Sequence, residues 1–483
     1  MLKYPLQKPV TLDTLDCFLL LILTVISIGS RMWRIDHPDE VVFDEVYFGN
    51  FSNYYLKGIY FYDIHPPFGK LVMYVMAMLS EYDGSIQFEG RPSPKHDDSQ
   101  YIILRLTPAF YGGLCAPLLY FASRFSSFSH TASFMAGFFS ICDTSLLTEQ
   151  RFILSDGMLH FFSCLFLAIF SYSMQKRPYT KEWVLWTVIS GISLGACCSC
   201  KNTAWGLAVF AVGIHFIQVL QIHKKFDDLL MTDIVWRGLY LAIPSLVVFF
   251  GSFAAHFILL PYHGPGVGFM SDANRKHFIN PQHNNSQILA KRIMSPSLLS
   301  RIISLFIDMH MGNMGLTQFH PSESRPHNWP LLTGRWVDFW NGHGAEIHCL
   351  GNVIVYYLAF FSIFPILAAY KKPNWVLGMR YVIGWSLSYF PFYLIPRSMY
   401  LYHYLIPLMI GCINVGISLD LWLPSYWRGF VGLILMAASL YGFYLWSPMS
   451  YGSLHHDNSY TIWIKNWMYG DEVFRSRSLS RSK

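Results

Sequence analysis

Apolar residues occur in long runs separated by short polar stretches, and the length of the runs predicts membrane-spanning helices. A helix needs about 20 apolar residues to cross a hydrocarbon core of about 30 Å, and eleven segments approach that length. They are residues 15–33, 102–123, 132–148, 157–173, 183–198, 202–220, 238–260, 347–370, 382–396, 399–421 and 429–446. The third segment contains Asp143, and only the polar hinge 199–201 separates the fifth from the sixth. The pattern predicts an all-α polytopic membrane protein of about 11 transmembrane helices.

The distribution of Lys and Arg predicts the orientation of these helices. Basic residues concentrate in the N-terminus and in the loops after even-numbered segments, as at Lys371 and Lys372. Cytoplasmic loops carry the excess of basic residues in membrane proteins, so we expect a cytoplasmic N-terminus. Two long loops, residues 34–101 and 261–346, and the tail, residues 447–483, then lie on the opposite side. The first segment is expected to be an uncleaved span, since no small-residue cleavage site follows it.

The composition agrees with a single transmembrane domain over residues 1–483. Apolar residues make up 53% of the chain and charged residues only 13%, with a mean hydropathy of +0.32, which excludes disordered chains and ordinary soluble domains. The net charge is only +6 and the basic residues are scattered, so no nucleic-acid partner is expected. The nine cysteines are an odd number and most lie in apolar segments, without a disulfide framework or a zinc ligand set.

The first long loop carries the most distinctive acidic pair. Asp44 and Glu45 stand among Val41, Val42, Phe43, Val46, Tyr47 and Phe48. An apolar setting at a membrane surface raises the pKa of a carboxylate and is typical of functional sites. The alternative is a helix N-cap followed by an acidic first turn.

Cationic residues converge on the same predicted face of the membrane. The candidates are His65 and Lys70 around a Pro-Pro turn, Arg105 just inside the second segment, Arg151 after the third, and Lys201 between the fifth and sixth. An arginine inside a span normally faces a partner charge, such as an anion, or a water-filled path. The alternative for Arg105 is that its side chain extends to the interface.

The second long loop is rich in histidine and tryptophan. Seven of the 19 histidines lie there: His263, His277, His283, His310, His320, His327 and His343. Their spacing is irregular, which disfavours a bound metal and favours hydrogen bonding to phosphate or sugar. Trp329, Trp336 and Trp340 suit interfacial anchors or sugar platforms. A carboxylate that takes a proton from an acceptor hydroxyl, and cations that stabilise a departing phosphate, together suit group transfer from a lipid-linked phosphate donor.

Several segments in order resemble the eukaryotic protein O-mannosyltransferases, lipid-donor glycosyltransferases of the GT-C type. The similar segments are residues 41–49, 64–70, 104–108, 150–156, 264–271, 310–313, 316–320, 324–330 and 350–352. The resemblance implies a GT-C bundle in the endoplasmic reticulum membrane. It also implies transfer of mannose, with inversion, from dolichyl phosphate mannose to Ser or Thr hydroxyls of secretory and membrane proteins. It implies no tightly bound metal or other cofactor, and a homodimer or heterodimer with a related mannosyltransferase.

The resemblance also implies roles for individual residues. Asp44 would be the general base, Glu45 would support it or contact the acceptor, and Arg105 would bind the donor phosphate. The residues expected to line the site with them are His65, Arg151, Lys201, His327 and His403.

Two departures from the family pattern are visible. Family members usually carry a β-trefoil MIR domain in the second long loop, whereas here only about thirty residues separate the segments similar to its flanks. A family stretch that usually has two adjacent histidines reads Tyr402-His403 here, and tyrosine still donates one hydrogen bond.

Two other classes of function stay open at this point. One is a non-catalytic partner subunit, against which the intact acidic pair argues. The other is a transporter or lipid-binding protein, which would need polar groups at mid-membrane depth and repeat symmetry; Asp143 is better explained as a satisfied group near a helix end. The sequons at Asn50 and Asn284 fall on the predicted luminal side.

Overall fold

The computed structural model describes residues 9–90, 95–96, 98–223, 228–280, 296–453, 461–464 and 467. Its helices are α1 Thr14–Met32, α2 Glu45–Lys57, α3 Phe68–Leu79, α4 Tyr101–Gly113, α5 Cys115–Phe125, α6 His130–Cys142, α7 Thr144–Glu149, α8 Asp156–Ser173, α9 Lys181–Cys198, α10 Trp205–Ile222, α11 Asp228–Leu259, α12 Asp272–Arg275, α13 Leu298–Met314, α14 Val353–Phe361, α15 Ile363–Ala368, α16 Trp375–Tyr389, α17 Leu405–Trp422 and α18 Ser425–Tyr451. Two strands, β1 Asp338–Gly342 and β2 Ala345–His348, pair antiparallel in a hairpin.

Helix α17 forms the centre of the bundle. Every residue from Leu405 to Ser418 is buried, and the helix packs against α6, α14 and α16. By contrast, α1 and α18 expose apolar side chains such as Phe18, Leu21 and Leu433. Since an apolar surface of this extent is stable only in lipid, these helices form the membrane-facing belt.

Among the residues that the structure describes, seven helical stretches are long and apolar enough to cross a membrane. They are Thr14–Met32, Tyr101–Phe125, Asp156–Ser173, Asn202–Ile222, Asp228–Leu259, Leu401–Trp422 and Ser425–Tyr451. Each of the eleven predicted segments contains helix, but the other four are shorter or less apolar. The chain is a multi-pass membrane protein, and the count of eleven spans stays a prediction.

The helix boundaries differ most from the prediction in two of the segments. The third is interrupted at Asp143, which accepts hydrogen bonds from the Leu146 and Asn352 backbone amides and from the Ser145 hydroxyl. Asp143 is therefore a satisfied group at a helix end, as the sequence suggested. The ninth segment begins earlier than predicted. Its helix spans Trp375–Tyr389 and so includes Arg380, which the prediction placed in a loop.

Close backbone approach fixes α8 against α4 at the level of the acidic motif. A Cβ atom at Gly157 would lie 2.5 Å from the Pro108 carbonyl oxygen. Small residues permit this separation between helices in a membrane. The contact places Asp156, at the start of α8, close to the elements that carry Arg105 and Glu45.

The two long loops and the start of the tail meet at one end of the bundle. The Trp467 indole donates to the Leu332 carbonyl oxygen at 2.8 Å, and its ring packs edge-on against Trp336. Trp467 thus lies on the same side of the bundle as the second long loop. The β-hairpin in that loop is the exception to the all-α prediction.

Candidate active site

Asp44 lies at the start of α2, at the end of the loop that follows α1. It occupies the N-cap position but its side chain makes no capping hydrogen bond, so the N-cap alternative is right about position only. The side chain is partly exposed. Phe43, just before it, has a positive φ of 48°, a conformation that a bulky residue adopts only when its surroundings impose it. We call residues 36–44 the acidic loop.

Glu45 is fully buried and its carboxylate accepts four hydrogen bonds. Oε1 accepts from Arg105 Nε at 2.7 Å and from the Ile153 amide at 3.0 Å, and Oε2 accepts from Arg105 Nη2 and the Val42 amide at 2.8 Å each. A carboxylate with this many donors has no room for an acceptor hydroxyl. The expectation that Glu45 supports Asp44 fits these contacts, and direct contact with the acceptor does not.

Arg105 holds the acidic loop. Besides its two bonds to Glu45, the guanidinium donates to the carbonyl oxygens of Ile35, Pro38 and Glu40 at 3.3, 2.7 and 2.9 Å. The side chain has no exposed surface. The expectation that Arg105 binds the donor phosphate therefore does not fit, because its donors are taken by a carboxylate and three carbonyls.

Arg151 also does not line the site as expected. Its Nη1 donates to the Arg31 and Trp33 carbonyl oxygens at 2.8 and 2.6 Å, and its Nη2 donates to that of Arg34 at 3.0 Å. The guanidinium lies 4.5 Å from the centre of the Tyr451 ring. Arg151 thus satisfies the carbonyls at the end of α1, where the helix dipole favours a cation.

A cavity of about 520 Å³ lies beside α10, α13 and α16. Its polar wall consists of His65, Lys201, Asn202, Thr203, His310, Asn313, Ser388, Arg397 and His403. Its apolar wall consists of Trp205, Gly206, Phe306, Met314, Leu387, Pro391, Phe392, Ile395 and Met399. One cavity therefore combines cations and imidazoles with a long apolar surface.

Lys201 connects the cavity with the acidic loop. Its Nζ lies 3.0 and 3.2 Å from the two carboxylate oxygens of Asp156 and 4.7 Å from the centre of the Tyr402 ring. Burial alone would lower the pKa of Lys201, but the negative charge of Asp156 raises it above its usual value. The ring of Phe43, the residue before Asp44, lies 6.4 Å from the same Tyr402 ring, so Tyr402 lies between this buried ammonium and the acidic loop.

His65 brings an unsatisfied polar atom to the cavity. Burial, reinforced by the charges of Lys201 and Lys70, lowers the pKa of His65 well below its ordinary value, so the ring is neutral. Within the described residues, His65 Nδ1, Thr203 Oγ1 and Ser388 Oγ have no hydrogen-bond partner. Buried polar groups are normally paired, so three orphans around one cavity indicate a place for a polar ligand.

His403 and Arg397 complete the polar wall. His403 is buried, its Nδ1 lies 3.0 Å from the Tyr400 carbonyl oxygen, and its ring stacks on Tyr402 at 4.7 Å. Arg397 Nη1 donates to Asn313 Oδ1 at 2.8 Å. Sequence reasoning missed Arg397 because it lies between two predicted spans; an arginine directly after Pro396 was the available signal.

Glu149 is a second carboxyl group that sequence reasoning did not select. It lies at the end of α7, is buried, and accepts from the Cys349 thiol at 3.5 Å. Burial and the charge of Asp156 raise the pKa of Glu149 well above its ordinary value. A neutral carboxyl group can donate a hydrogen bond, which an ionised one cannot.

Three other expected residues lie apart from the cavity or outside the described residues. His327 is exposed on the turn Pro326–Asn328 and lines a separate apolar groove beside α16. Asn50 lies inside α2, where its amide donates to the Val46 and Phe88 carbonyl oxygens at 2.7 and 2.8 Å. Its nitrogen is therefore poorly placed for glycosylation. Asn284 lies outside the described residues.

Comparison with sequence families identifies the group to which this arrangement belongs. A family model described as dolichyl-phosphate-mannose-protein mannosyltransferase matches residues 21–261. A second, described as the C-terminal four TMM region of protein-O-mannosyltransferase, matches residues 298–467.

Curated relatives with the same name align over about half of the chain or more. Dolichyl-phosphate-mannose--protein mannosyltransferase 3 of Saccharomyces cerevisiae is 34% identical over 51% of this chain and 33% of its own length. Mannosyltransferase 6 of Candida albicans is 32% identical over 64% of this chain and 38% of its own length. The matched part of the chain thus spans 33–38% of the length of these relatives.

Solved structures share the fold. A chain from the S. cerevisiae protein O-mannosyltransferase Pmt1-Pmt2 complex bound to the sugar donor superposes with a TM-score of 0.84 and 19% identity, over 96% of this chain and 94% of that one. The archaeal oligosaccharyltransferase AglB of Archaeoglobus fulgidus gives a TM-score of 0.52 and 15% identity, over 96% and 59%. The bundle is of the GT-C type, and with two family models matched along its length, the chain belongs to the dolichyl-phosphate-mannose–protein mannosyltransferase family.

Proposed function

We propose that this protein transfers mannose from dolichyl phosphate mannose to Ser or Thr hydroxyls of secretory and membrane proteins. The observation that carries the proposal is the cavity, whose polar wall contains the cations Lys201 and Arg397 and continues into an apolar wall. Lys201 Nζ lies 4.7 Å from the centre of the Tyr402 ring, and the ring of Phe43, the residue before Asp44, lies 6.4 Å from the same ring. A lipid-linked sugar phosphate has the same division into a charged head and a long apolar chain. The relatives are named for this donor, and the similar Pmt1-Pmt2 structure is described as bound to the sugar donor.

The donor is oriented by the two kinds of wall. Lys201 and Arg397 hold the phosphate by charge, and the imidazoles of His65 and His403 add hydrogen bonds. Trp205, Leu387, Phe392 and Ile395 accommodate the isoprenoid chain. This assignment transfers the phosphate-binding role from Arg105 to Arg397 and Lys201.

The reaction is a single displacement. The acceptor hydroxyl oxygen attacks C1 of mannose while the bond from C1 to the phosphate oxygen breaks, so the configuration at C1 is inverted. Asp44 takes the hydroxyl proton as general base, and the electron pair leaves with dolichyl phosphate, whose charge Lys201 and Arg397 stabilise. The positive end of the α2 dipole favours the ionised form of Asp44.

The cellular setting follows from the same family. The protein lies in the endoplasmic reticulum membrane with a cytoplasmic N-terminus and acts on the luminal side. It works as a dimer with itself or with a related mannosyltransferase, as the Pmt1-Pmt2 complex suggests. Residues 262–297, between the two matched family regions, are too few for the MIR domain expected there, so acceptor recognition falls to other surfaces or to the partner.

The test compares the unmodified chain with Asp44→Asn in microsomes, using labelled dolichyl phosphate mannose and a Ser/Thr-rich peptide. We expect transfer to fall at least about a hundredfold in the variant, as for loss of a general base. Asp39→Asn is the matched control, because Asp39 lies in the same loop but is half exposed and paired with Lys95 at 3.0 Å. It should transfer normally.

The other outcomes bear on separate parts of the proposal. Equal transfer by the unmodified chain and Asp44→Asn would remove Asp44 from the mechanism. No transfer by the unmodified chain, alone or co-expressed with a related mannosyltransferase, would exclude the activity. Transfer only on co-expression, lost when Asp44→Asn is introduced in this chain, would retain the activity and make the partner obligatory.

A further inference from the structure

The β-hairpin of the second long loop packs directly on the acidic loop. The Phe43 amide donates to the Phe339 carbonyl oxygen at 3.0 Å, and the two aromatic rings stack with centres 4.3 Å apart. Phe339 is fully buried. These contacts hold the positive-φ conformation of Phe43, so the backbone that leads into Asp44 depends on the hairpin.

The tip of the hairpin binds the same loop through Glu40. Glu40 Oε2 accepts from Trp340 Nε1 at 2.8 Å, and Oε1 lies 3.0 Å from His343 Nε2. His343 and Gly344 form the two-residue turn, with φ of 54° and 76°. Asn or Gly suits both positions of such a turn best. A histidine there places its imidazole on Glu40.

The base of the hairpin is closed by a buried histidine between two carboxylates. His348 Nδ1 lies 2.6 Å from Asp338 Oδ1 on the opposite strand, and Nε2 lies 2.7 Å from Glu346 Oε2. Trp336 Nε1 lies 3.1 Å from the same Nδ1, which can accept from the indole only when it is not protonated. The shorter 2.6 Å contact with Asp338 favours a proton on Nδ1. Only the doubly protonated ring donates to both carboxylates at once. The His348 side chain is 1% exposed, whereas those of Asp338 and Glu346 are 26% and 23% exposed, so the imidazole is shielded from solvent and the carboxylates are partly hydrated.

Helices α7 and α18 pack behind the hairpin. From α7, the Thr148 hydroxyl donates to the His348 carbonyl oxygen at 3.0 Å, and Glu149 follows with its raised pKa. From α18, Ser450 approaches Thr148 at 2.9 Å. Asp338 and Glu346 contact the imidazole directly and raise its pKa.

We propose that the hairpin positions Asp44 for the acceptor, and that His348, held between Asp338 and Glu346, keeps the hairpin in place. This inference rests on the proposed function and deepens it. His348 is a positioning residue, since it acts through Phe339, Trp340 and His343. The hairpin contributes nothing to the cavity wall, so its loss should slow turnover and leave donor binding unchanged.

The pH dependence has a defined direction. Burial opposes the charge, but hydrogen bonds to Asp338 and Glu346 raise the pKa of His348 to about 9. The folded state therefore binds this proton more tightly than the unfolded state, whose histidine pKa is about 6.5. The contribution to hairpin stability is complete below about pH 6.5 and is lost as the pH rises through about 9.

The experiment uses the full chain in lipid nanodiscs, together with any related chain it requires for activity. The variants are His348→Gln, whose side chain cannot carry a positive charge, and Trp340→Phe, which keeps an aromatic ring but loses the indole N–H that donates to Glu40. His263→Gln is the control, because His263 is an exposed histidine of the same loop. The measurements are kcat, the KM for dolichyl phosphate mannose, both from pH 6 to 10, and hydrogen exchange of residues 36–44.

We expect His348→Gln to lower kcat at least about tenfold at pH 7, with the donor KM within about twofold of the unmodified value. The acidic loop should exchange faster. Protection of the loop should fall through about pH 9 in the unmodified protein and show no such step in His348→Gln. Trp340→Phe should act in the same direction, more weakly, and keep the step near pH 9.

Unchanged exchange in both variants, or a raised donor KM with kcat intact, would overturn the inference. If His348→Gln does not fold, Trp340→Phe decides through the same two readouts. Exchange is measured without substrate, so an inactive parent chain would count against the proposed function while the exchange result would still decide whether the hairpin holds the acidic loop.

Discussion

Replacing Arg105 by methionine distinguishes an arginine that holds the acidic loop from one that binds the donor. Methionine retains much of the apolar stem but removes both bonds to Glu45 and the three bonds to the carbonyls of Ile35, Pro38 and Glu40. Glu45 is left as a buried carboxylate with only the Val42 and Ile153 amides as donors.

The magnitude follows from the burial of the pair. Both side chains are fully buried, and removing one partner of such a pair costs about 3–5 kcal/mol. With a tenfold change for about every 1.4 kcal/mol, the open population of the acidic loop should increase by roughly two to four orders of magnitude. A second change, Glu45→Gln, removes the unpaired charge. Arg105→Met should therefore cost at least about 1 kcal/mol less in that background.

The assay combines hydrogen exchange of residues 36–44 with transfer kinetics on the purified chain. We expect exchange to accelerate by the factor above, and kcat to fall while the donor KM stays within about threefold. The control is Arg325→Met, because Arg325 is half exposed. Arg31 would not serve as a control, because it is buried like Arg105. A donor KM raised more than about tenfold, with exchange unchanged, would refute the loop-holding role and restore Arg105 to the phosphate.

Three further results are expected. Arg397→Gln should lower kcat/KM for dolichyl phosphate mannose about a hundredfold, as for removal of one hydrogen-bond donor to a developing charge. Lys95→Gln, which removes an exposed ion pair, should leave kcat/KM unchanged. Equal values for the two variants would contradict the phosphate role of Arg397. Gly266→Ala should destabilise the protein by at least about 1–3 kcal/mol, because its Cβ would lie 2.1 Å from the Tyr62 amide nitrogen, whereas Gly268→Ala meets nothing within 4 Å; similar thermal midpoints for the two variants would be inconsistent with this packing. Asn50→Gln should leave the glycan mass of microsomal protein unchanged, since the Asn50 amide is engaged within α2, and a loss of mass would show that the sequon is used.

The sequence predicts that the acidic motif is unusual, but it does not predict which of its two carboxylates is buried. The apolar setting of Asp44 and Glu45 predicted that the pair is unusual, and the structure assigns opposite environments to the two residues. Asp44 is partly exposed at the start of α2, and Glu45 is buried with four donors. Adjacent residues at the start of a helix point in different directions, and only the neighbours supplied by α4 show which carboxylate is enclosed.

The hairpin could not be predicted from the sequence because its strands are short. A run of about 20 apolar residues predicts a span, whereas the two strands have only five and four residues. The turn residues His343 and Gly344 are a weak signal without a flanking pair of long strands. Its functional importance lies in contacts with Glu40 and Phe43, about 300 residues earlier in the chain.

The membrane-spanning character, the helical class and the family could all be predicted from the order of residues, because hydropathy and motif order are local properties of the chain. Helix length is set against the fixed thickness of a bilayer, so long apolar runs reveal most spans. The folded bundle was needed to show that one cavity is lined by Lys201, His65, His403 and Arg397. It also showed that the donors of Arg105 and Arg151 are taken by other groups. A buried arginine pairs equally well with a carboxylate, a phosphate or backbone carbonyls. The choice between them is made by distance in the folded bundle.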